Sequence, residues 1–496
     1  MPYELAWVGR HQKIAAWAAA FLLFLVLNDV QDVQTFYWDA DFYWHLSRVR
    51  ALLHFPSVMR GYFYPLMLAP SRLLCDLFPD WGYGPFRVIS STVYAYVLTG
   101  PLPEFYQTAF GRQTNLIRRM IVPVLVAVIY PGLVVTTLSD LPAACLMLGS
   151  MVCAMRSVAA EGRSLTRHGL LLLSGMLAYG AYNTRTIYLF AAALMLPAVP
   201  FILYRARGNL LRLAALSSMI LGIVMAAIPQ LLINVKNQGA WSPAVIATVQ
   251  GKSLFASQLL WGITFQRYET TIDPSVPGPE VYYPDVAGQR LHDALHIDAD
   301  SFTVADYLGI VVHHPLDFAG IYGRHLVNGL DVRDGAAYTR VQSASRNGFA
   351  FCNFLVVFLG SALLLTAAWA HPPVDGPSRI CWTWACMSLM PVLMIVPGAI
   401  ETRFFLPLHL AFYSAIAFSA EPRRIAVALR RHWLPIAAAF GVSAAIFFAI
   451  TLNTMASVEY GPHRVHIPAP VSSKSDSTFG RCPGCDWVPP LGWSKA

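Results

Sequence analysis

Apolar residues in this chain fall in long, nearly unbroken runs, with polar residues collected between them. Such runs occupy 13–28, 85–107, 119–136, 138–155, 168–184, 186–204, 213–234, 349–370, 379–397, 401–420 and 433–452. Most approach or exceed roughly 18 residues, the length at which a helix crosses a ~30 Å hydrocarbon core. The pattern predicts an all-α polytopic membrane protein of about eleven transmembrane helices. The first run follows Arg10 and begins at Lys13, as a signal peptide would. No small-residue cleavage site follows it, so a retained anchor is expected.

Composition agrees with this class. Hydrophobic residues make up 56% of the 496 and charged residues 12%, and the mean hydropathy is +0.50. A soluble domain carries about 25% charged residues.

The arginines give the expected orientation. One set of loops holds Arg112, Arg118 and Arg119; Arg156, Arg163 and Arg167; Arg205, Arg207 and Arg212; and Arg423, Arg424, Arg430 and Arg431. The short alternate loops hold little beyond Asp140, Arg185, Glu401 and Arg403. The positive-inside rule makes the basic set cytoplasmic, and with it the N-terminus. The net charge of +8 is then topological and calls for no nucleic-acid partner. Two long loops, 29–84 and 235–348, fall on the other side with the tail 453–496, leaving 1–452 as one transmembrane domain. Function is expected on that outer face, where the Trp, Tyr, Asp, His and Arg residues gather.

The first outer loop is the richest segment. Trp38-Asp39-Ala40-Asp41-Phe42-Tyr43-Trp44-His45-Leu46-Ser47-Arg48 sets carboxylates, a histidine and an arginine among aromatics. Apolar residues at 42, 46, 49, 52 and 53 predict an amphipathic helix on the bilayer surface. Asp41, His45 and Arg48 would share one face of it, with Asp39 at or just before its start, where a carboxylate is favoured. An ordinary capped interfacial helix would carry the same pattern. Asp39-Ala40-Asp41 also has the Asp-x-Asp form that holds a divalent cation in soluble nucleotide-sugar transferases, so a cation on Asp39 and Asp41 is the one cofactor left open.

Other signatures are absent. The sequence has no GxGxxG, no complete phosphate loop around Gly251-Lys252-Ser253, no HExxH and no Gly-x-Ser-x-Gly. Nothing supports nucleotide-driven transport, zinc proteolysis or serine hydrolysis. Cys482-Pro483-Gly484-Cys485 lacks the second ligand pair of a zinc site and reads as a local disulfide or plain thiols. In the second loop, aromatics mix with amides and carboxylates around Gln266-Arg267-Tyr268-Glu269 and Tyr282-Tyr283, a mixture that suits sugar binding and equally an ordinary loop. His292, His296, Asp298 and Asp300 are open to the same two readings, metal cluster or solvated surface.

Several short motifs recur in order along the chain: the acidic first loop; Gly61-Tyr62-Phe63-Tyr64-Pro65-Leu66; Ser139-Asp140-Leu141-Pro142; Asn183-Thr184-Arg185; His313-His314-Pro315 leading to Tyr322-Gly323-Arg324-His325; and Glu401-Thr402-Arg403-Phe404. With the two large outer loops they make the chain resemble the GT-C superfamily of glycosyltransferases, of the protein-mannosyl or aminoarabinosyl transferase type. The resemblance covers nearly the whole chain. It departs at the acidic motif, Asp-Ala-Asp where many relatives read Asp-Glu.

The resemblance implies transfer of one sugar from a polyprenyl-phosphate donor to a hydroxyl of a lipid, glycan or protein, at the outer face of a membrane. Asp39 or Asp41 would act as general base, Asp39 by its match to the first acidic residue of the motif, and inversion at the anomeric carbon would follow. Arginine suits the leaving phosphate through bidentate hydrogen bonds. Arg185, Arg324 and Arg403 are the candidates, with Lys252 and His325 behind them. Tyr43, His45, Asp140, Arg267, Tyr268 and Glu401 are candidate sugar or acceptor contacts. Asp140 would serve equally as a helix cap, and Arg403 as the ion-pair partner of Glu401. The Arg-rich, Lys-poor loops favour a bacterial inner membrane. The alternative is a secondary transporter or flippase, although no internal repeat supports it. An oligosaccharyltransferase subunit is disfavoured, because the Trp-Trp-Asp-Tyr-Gly motif and a large C-terminal domain are missing.

Overall fold

The computed structural model describes residues 2–54, 61–110, 114–160, 162–249, 252–272, 280–339, 346–370 and 376–460. Helix α1 (Pro2–Gln31) leads into the first loop, which folds as α2 (Trp38–Leu46), α3 (Val49–Leu53) and α4 (Phe63–Leu77). The bundle continues with α5 (Gly84–Thr99), α6 (Pro101–Phe110), α7 (Leu116–Ile129), α8 (Pro131–Val135), α9 (Asp140–Ala159), α10 (Ser164–Thr184), α11 (Leu189–Ala198) and α12 (Asn209–Gln238). The second loop carries β1 (Thr248–Val249), β2 (Lys252–Ser253), α13 (Leu254–Thr264), β3 (Phe265–Thr270), β4 (Glu280–Pro284), α14 (Val286–Ala294), α15 (Val304–His313) and α16 (Pro315–Leu330). Helices α17 (Asn347–Ala370), α18 (Gly376–Ile395), α19 (Leu406–Ser419) and α20 (Pro422–Ala456) complete the bundle, and β5 (Glu459–Tyr460) ends the described chain.

The protein is an integral membrane protein: among the described residues six helical segments are long and apolar enough to cross a bilayer. They are His11–Gln31, Asp140–Ala159, Thr186–Leu203, Asn209–Gln238, Asn347–Thr366 and Ile425–Ala456. The other five expected spans are also helical: 379–397 falls on α18, and the remaining four are shorter, broken or more polar. The run 85–107 divides at Gly100 between α5 and α6, and 119–136 divides between α7 and α8 ahead of Pro131. The run 401–420 opens with a 3-10 turn, Thr402–Phe405, before the fourteen residues of α19. Proline accounts for two of these breaks, since it cannot continue the hydrogen-bond ladder of the preceding helix.

Helices α9, α10 and α12 pack closest. A methyl group on Gly175 of α10 would fall 2.0 Å from the Met219 carbonyl of α12, and one on Gly222 of α12 would fall 2.0 Å from the Leu172 carbonyl of α10. Small residues let the two backbones touch, the usual basis of helix association inside lipid. Ser150 and Ser174 join α9 to α10 by exchanging hydrogen bonds with each other's backbone carbonyls, at 2.8 and 2.9 Å. This antiparallel packing brings Asp140 at the start of α9 to Arg185 at the end of α10.

The second loop is a folded unit rather than a plain linker. Strands β3, β4 and β5 form an antiparallel sheet in which Tyr268 faces Tyr282 and Val281 faces Tyr460. The beginning of the expected tail thus joins the sheet of the second loop. Leu259, Ile263, Tyr307 and Phe318 form a small apolar core of their own. Cys482 and Cys485 lie outside the described residues.

Candidate functional site

The first loop supplies the candidate site's first carboxylate on a short helix whose start is tied down from three sides. The Tyr338 hydroxyl accepts from the Ala40 N–H at 3.1 Å, and the Thr137 hydroxyl donates to the Ala40 carbonyl at 2.6 Å. The indole N–H of Trp38 donates to the Thr271 carbonyl at 3.0 Å. Trp38 itself has φ +48°, a conformation that costs a bulky residue roughly 1–3 kcal/mol and persists only when its surroundings hold it. These three ties fix Asp39 in the first turn of α2, where the helix dipole favours a carboxylate.

Asp39 faces inward to Arg403, with 3.7 Å between carboxylate and guanidinium. Arg403 also pairs with Glu401, which accepts from the Thr270 hydroxyl at 2.8 Å. A second ion pair, Asp140–Arg185, lies beside the first. The two arginines stack on one ring: the Arg185 and Arg403 guanidinium carbons lie 4.4 and 5.5 Å from the centroid of Phe404. Arg403 further faces Tyr338, 5.8 Å from its ring centre.

Four buried polar atoms here lack a hydrogen-bond partner: Arg403 Nη1, Asp140 Oδ2, Tyr64 Oη and Thr184 Oγ1. Most buried polar groups are satisfied, so such a concentration calls for an explanation. Donors and acceptors gathered at the end of a bundle fit a polar ligand carrying negative charge next to hydroxyl groups.

The expected helix over 41–53 breaks at Ser47. Arg48 caps α3 in an extended conformation, so it does not share the face of Asp41 and His45. The Ser47 hydroxyl bonds to the Trp44 carbonyl at 2.7 Å, offering the backbone an alternative to continued helix. Asp41 and His45 do pair, at 3.0 Å. The Asp41 carboxylate raises the His45 imidazole pKa above its ordinary value, against the opposing effect of burial. Residues 39 and 41 stand about 200° apart around the helix, one toward Arg403 and the other toward His45. Among the described residues no group of three or more His, Cys, Asp or Glu side chains is placed to hold a metal. The set His292, His296, Asp298 and Asp300 is therefore not assembled: His292 pairs with Asp293, and Asp298 accepts from the Asp300 N–H and the Ser301 hydroxyl.

The structure brings together Asp39, Asp140, Arg185, Glu401 and Arg403, with Tyr43 buried behind them against Tyr64 and bonded to Ser139 at 3.4 Å. Tyr268 packs edge-on to Phe404. Other candidates are committed within the second loop. Arg324 forms a bidentate pair with Asp285 at 2.7 and 2.9 Å. The ring nitrogens of His325 face the carbonyls of Val396 and Phe265 at 2.6 and 2.9 Å. Arg267 is 1% exposed, pairs with Glu269 and donates to the Asp331 carbonyl at 2.9 Å. Lys252 lies in β2, paired across the hairpin with Val249. Sequence reasoning missed Thr137, Thr270 and Tyr338, polar residues in unremarkable contexts whose partners are distant in sequence.

No protein-family model matches the sequence, and no curated protein matches it. Three solved structures of the oligosaccharyltransferase AglB from Archaeoglobus fulgidus, a GT-C superfamily membrane glycosyltransferase, are similar to the chain in fold. The complex with zinc and sulfate gives 14% identity and a TM-score of 0.44, with 90% of this chain and 54% of that one covered. The apo form gives 12% and 0.45, with 90% and 55% covered. The complex with an inhibitory peptide and a dolichol-phosphate gives 13% and 0.43, with 92% and 57% covered. The chain thus spans little more than half the length of these structures.

Proposed function

We propose that the protein is a membrane glycosyltransferase, moving one sugar from a polyprenyl-phosphate donor to an acceptor hydroxyl at the non-cytoplasmic face. The observation that carries this reading is the placement of Asp39, held at a helix start, beside the partly unsatisfied guanidinium of Arg403. A sugar leaving a phosphate develops positive character at its anomeric carbon and negative charge on the phosphate. The carboxylate is the group to take the proton of the incoming hydroxyl. The guanidinium groups of Arg403 and Arg185 are the groups to receive the leaving phosphate, in a buried setting where preformed charge acts most strongly. Attack by a hydroxyl on the face opposite the phosphate inverts the anomeric configuration. Asp39 is the base in this reading, and Asp41 orients His45.

The site end of the bundle is then periplasmic or extracellular, and the arginine-rich end cytoplasmic. The test is transfer from radiolabelled polyprenyl-phosphate sugars by purified protein, with Asp39→Asn and Asp41→Asn compared. Asp39→Asn is expected to lower turnover by about 10²–10⁴ with donor binding retained, and Asp41→Asn by far less. Equal losses would remove the assignment of Asp39. If both variants and the wild type bind donor no better than a scrambled lipid, the reading as a transferase fails.

A further inference from the structure

The last long helix has a feature that the transfer reaction does not use. Helix α20 changes direction at His432, whose backbone (φ −129°, ψ 32°) leaves the helical range. Pro435 is the cause: it has no N–H to give the carbonyl of Arg431, and its ring crowds that carbonyl. The kink separates an arginine-bearing segment, Pro422–Arg431, from the apolar span that begins at Trp433. Trp433 is 64% exposed, in the position that interfacial tryptophans take at a membrane boundary.

Along the segment, Arg423, Val427, Ala428, Arg431 and His432 line one shallow, open groove of about 390 Å³. Arg423, Val427 and Arg431, at i, i+4 and i+8, share one helix face, with Ala428 and His432 beside it, so cationic groups stand at both ends of an apolar stretch. Several other arginines at this end of the bundle are already committed. Arg118 donates to the Phe418 and Ala420 carbonyls, Arg119 to Thr99 and Thr114, and Arg156 to Glu104. Among the described residues no carboxylate pairs with Arg423 or Arg431.

We infer that this groove binds the headgroup of an anionic phospholipid, with Arg423 and Arg431 on its phosphate and an acyl chain starting over Val427. The partner is a membrane lipid rather than a soluble anion because the floor is apolar and the groove runs directly into the span at Trp433. Anionic leaflets attract juxtamembrane arginines of this kind, and pockets of basic residues at helix ends select anionic headgroups. The inference does not depend on the transferase reading, and its readout is separate from turnover.

The test is native mass spectrometry of the full chain in detergent, titrated with phosphatidylglycerol or phosphatidylcholine, for wild type, Arg423→Gln/Arg431→Gln and the distal control Arg50→Gln. Wild type is expected to retain phosphatidylglycerol in preference to phosphatidylcholine. The double variant is expected to lose that preference by about an order of magnitude, with an unchanged melting temperature in lipid-free detergent, while Arg50→Gln keeps it. Equal retention of both lipids by the wild type would overturn the site, as would an unchanged preference in the double variant. Displacement of phosphatidylglycerol by millimolar inorganic phosphate would overturn the lipid assignment in favour of a free anion.

Discussion

Both ends of the helical bundle carry arginines, and they use them in different ways. At the end where α7 begins and α19 stops, Arg118 donates to the Phe418 and Ala420 carbonyls at 3.1 Å each. Arg119 spends both terminal nitrogens, on the Thr99 carbonyl at 2.6 Å and the Thr114 hydroxyl at 2.7 Å. These groups close the unsatisfied carbonyls of helix C-termini, where positive charge is also favoured by the dipole. At the opposite end, Arg185 and Arg403 face carboxylates and an aromatic ring, and a terminal nitrogen of Arg403 is left without a partner. At the first end the terminal nitrogens of Arg118 and Arg119 are taken up, with Arg119 Nε left over, whereas at the second a terminal nitrogen of Arg403 and a carboxylate oxygen of Asp140 are open to something else.

Exchanging one arginine at each end for lysine tests that contrast with the largest expected effect. Arg403→Lys keeps the charge and loses the planar fork, so transfer is expected to fall by about 10²–10³, as when one donor to a developing anion is removed. Arg118→Lys should cost about 1 kcal/mol of stability through its weakened cap and leave transfer within about twofold of wild type. Initial rates and thermal melts on the same preparations separate the two. A comparable loss of transfer in Arg118→Lys would dissolve the distinction between the ends.

A smaller effect is expected at Tyr338, which acts through Asp39 rather than on the substrate. Tyr338→Phe removes one of the two acceptors of the buried Ala40 N–H and leaves the Tyr37 carbonyl at 3.0 Å, at a cost of about 0.5–1.5 kcal/mol. With α2 less firmly held, kcat should fall by roughly tenfold, while KM for the donor stays near the wild-type value. A rise in KM alone would instead make Tyr338 a donor contact.

Much of the site was legible because charge is conspicuous beside apolar runs. Asp140, Arg185, Glu401 and Arg403 each stand at the edge of such a run, where an ionised group is costly unless paired or wet. Asp39 stood out for its place after the first span. Thr137, Thr270 and Tyr338 could not be read this way, since a hydroxyl in a polar loop carries no cost that needs explaining. Their roles come from contacts with Ala40 and Glu401, formed only when the chain folds back across 97, 298 and 131 positions.

Elsewhere, local patterns misled where tertiary packing decided. The apolar spacing from Phe42 to Leu53 continues across Ser47, but the helix does not. The mixture around Tyr282-Tyr283 suited sugar contact and an ordinary loop alike, and Tyr283 is fully buried in the β3–β4–β5 sheet. Arg324 and Arg267 were conspicuous for their charge and proved to be bound within the second loop by Asp285, Glu269 and Asp331.

The Asp41–His45 pair gives a pH-dependent prediction of modest size. A raised imidazole pKa means that the pair's contribution to stability is fully present below the ordinary histidine value of about 6.5. It is lost as pH rises through the higher value in the folded protein. NMR titration of His45 should show the raised pKa, and Asp41→Asn should bring it down. A His45 that titrates identically in both proteins would mean that the pair does not form in solution.

The smallest effect is expected at the basic end, where Arg156 donates to both carboxylate oxygens of Glu104, at 2.6 and 2.5 Å. The side chains are 44% and 26% exposed, and exposed ion pairs contribute about 0–1 kcal/mol. The bidentate geometry favours the upper part of that range. Glu104→Gln keeps one acceptor and removes the charge, so the melting temperature should drop by no more than about 2–4 °C, with transfer unchanged. Because the pair lies at the far end of the bundle from Asp39, only coupling through the helices could carry its loss to the reaction. A tenfold fall in transfer without unfolding would therefore show that the two ends act as one system, and the arginines of the basic end would have to be counted among the working parts.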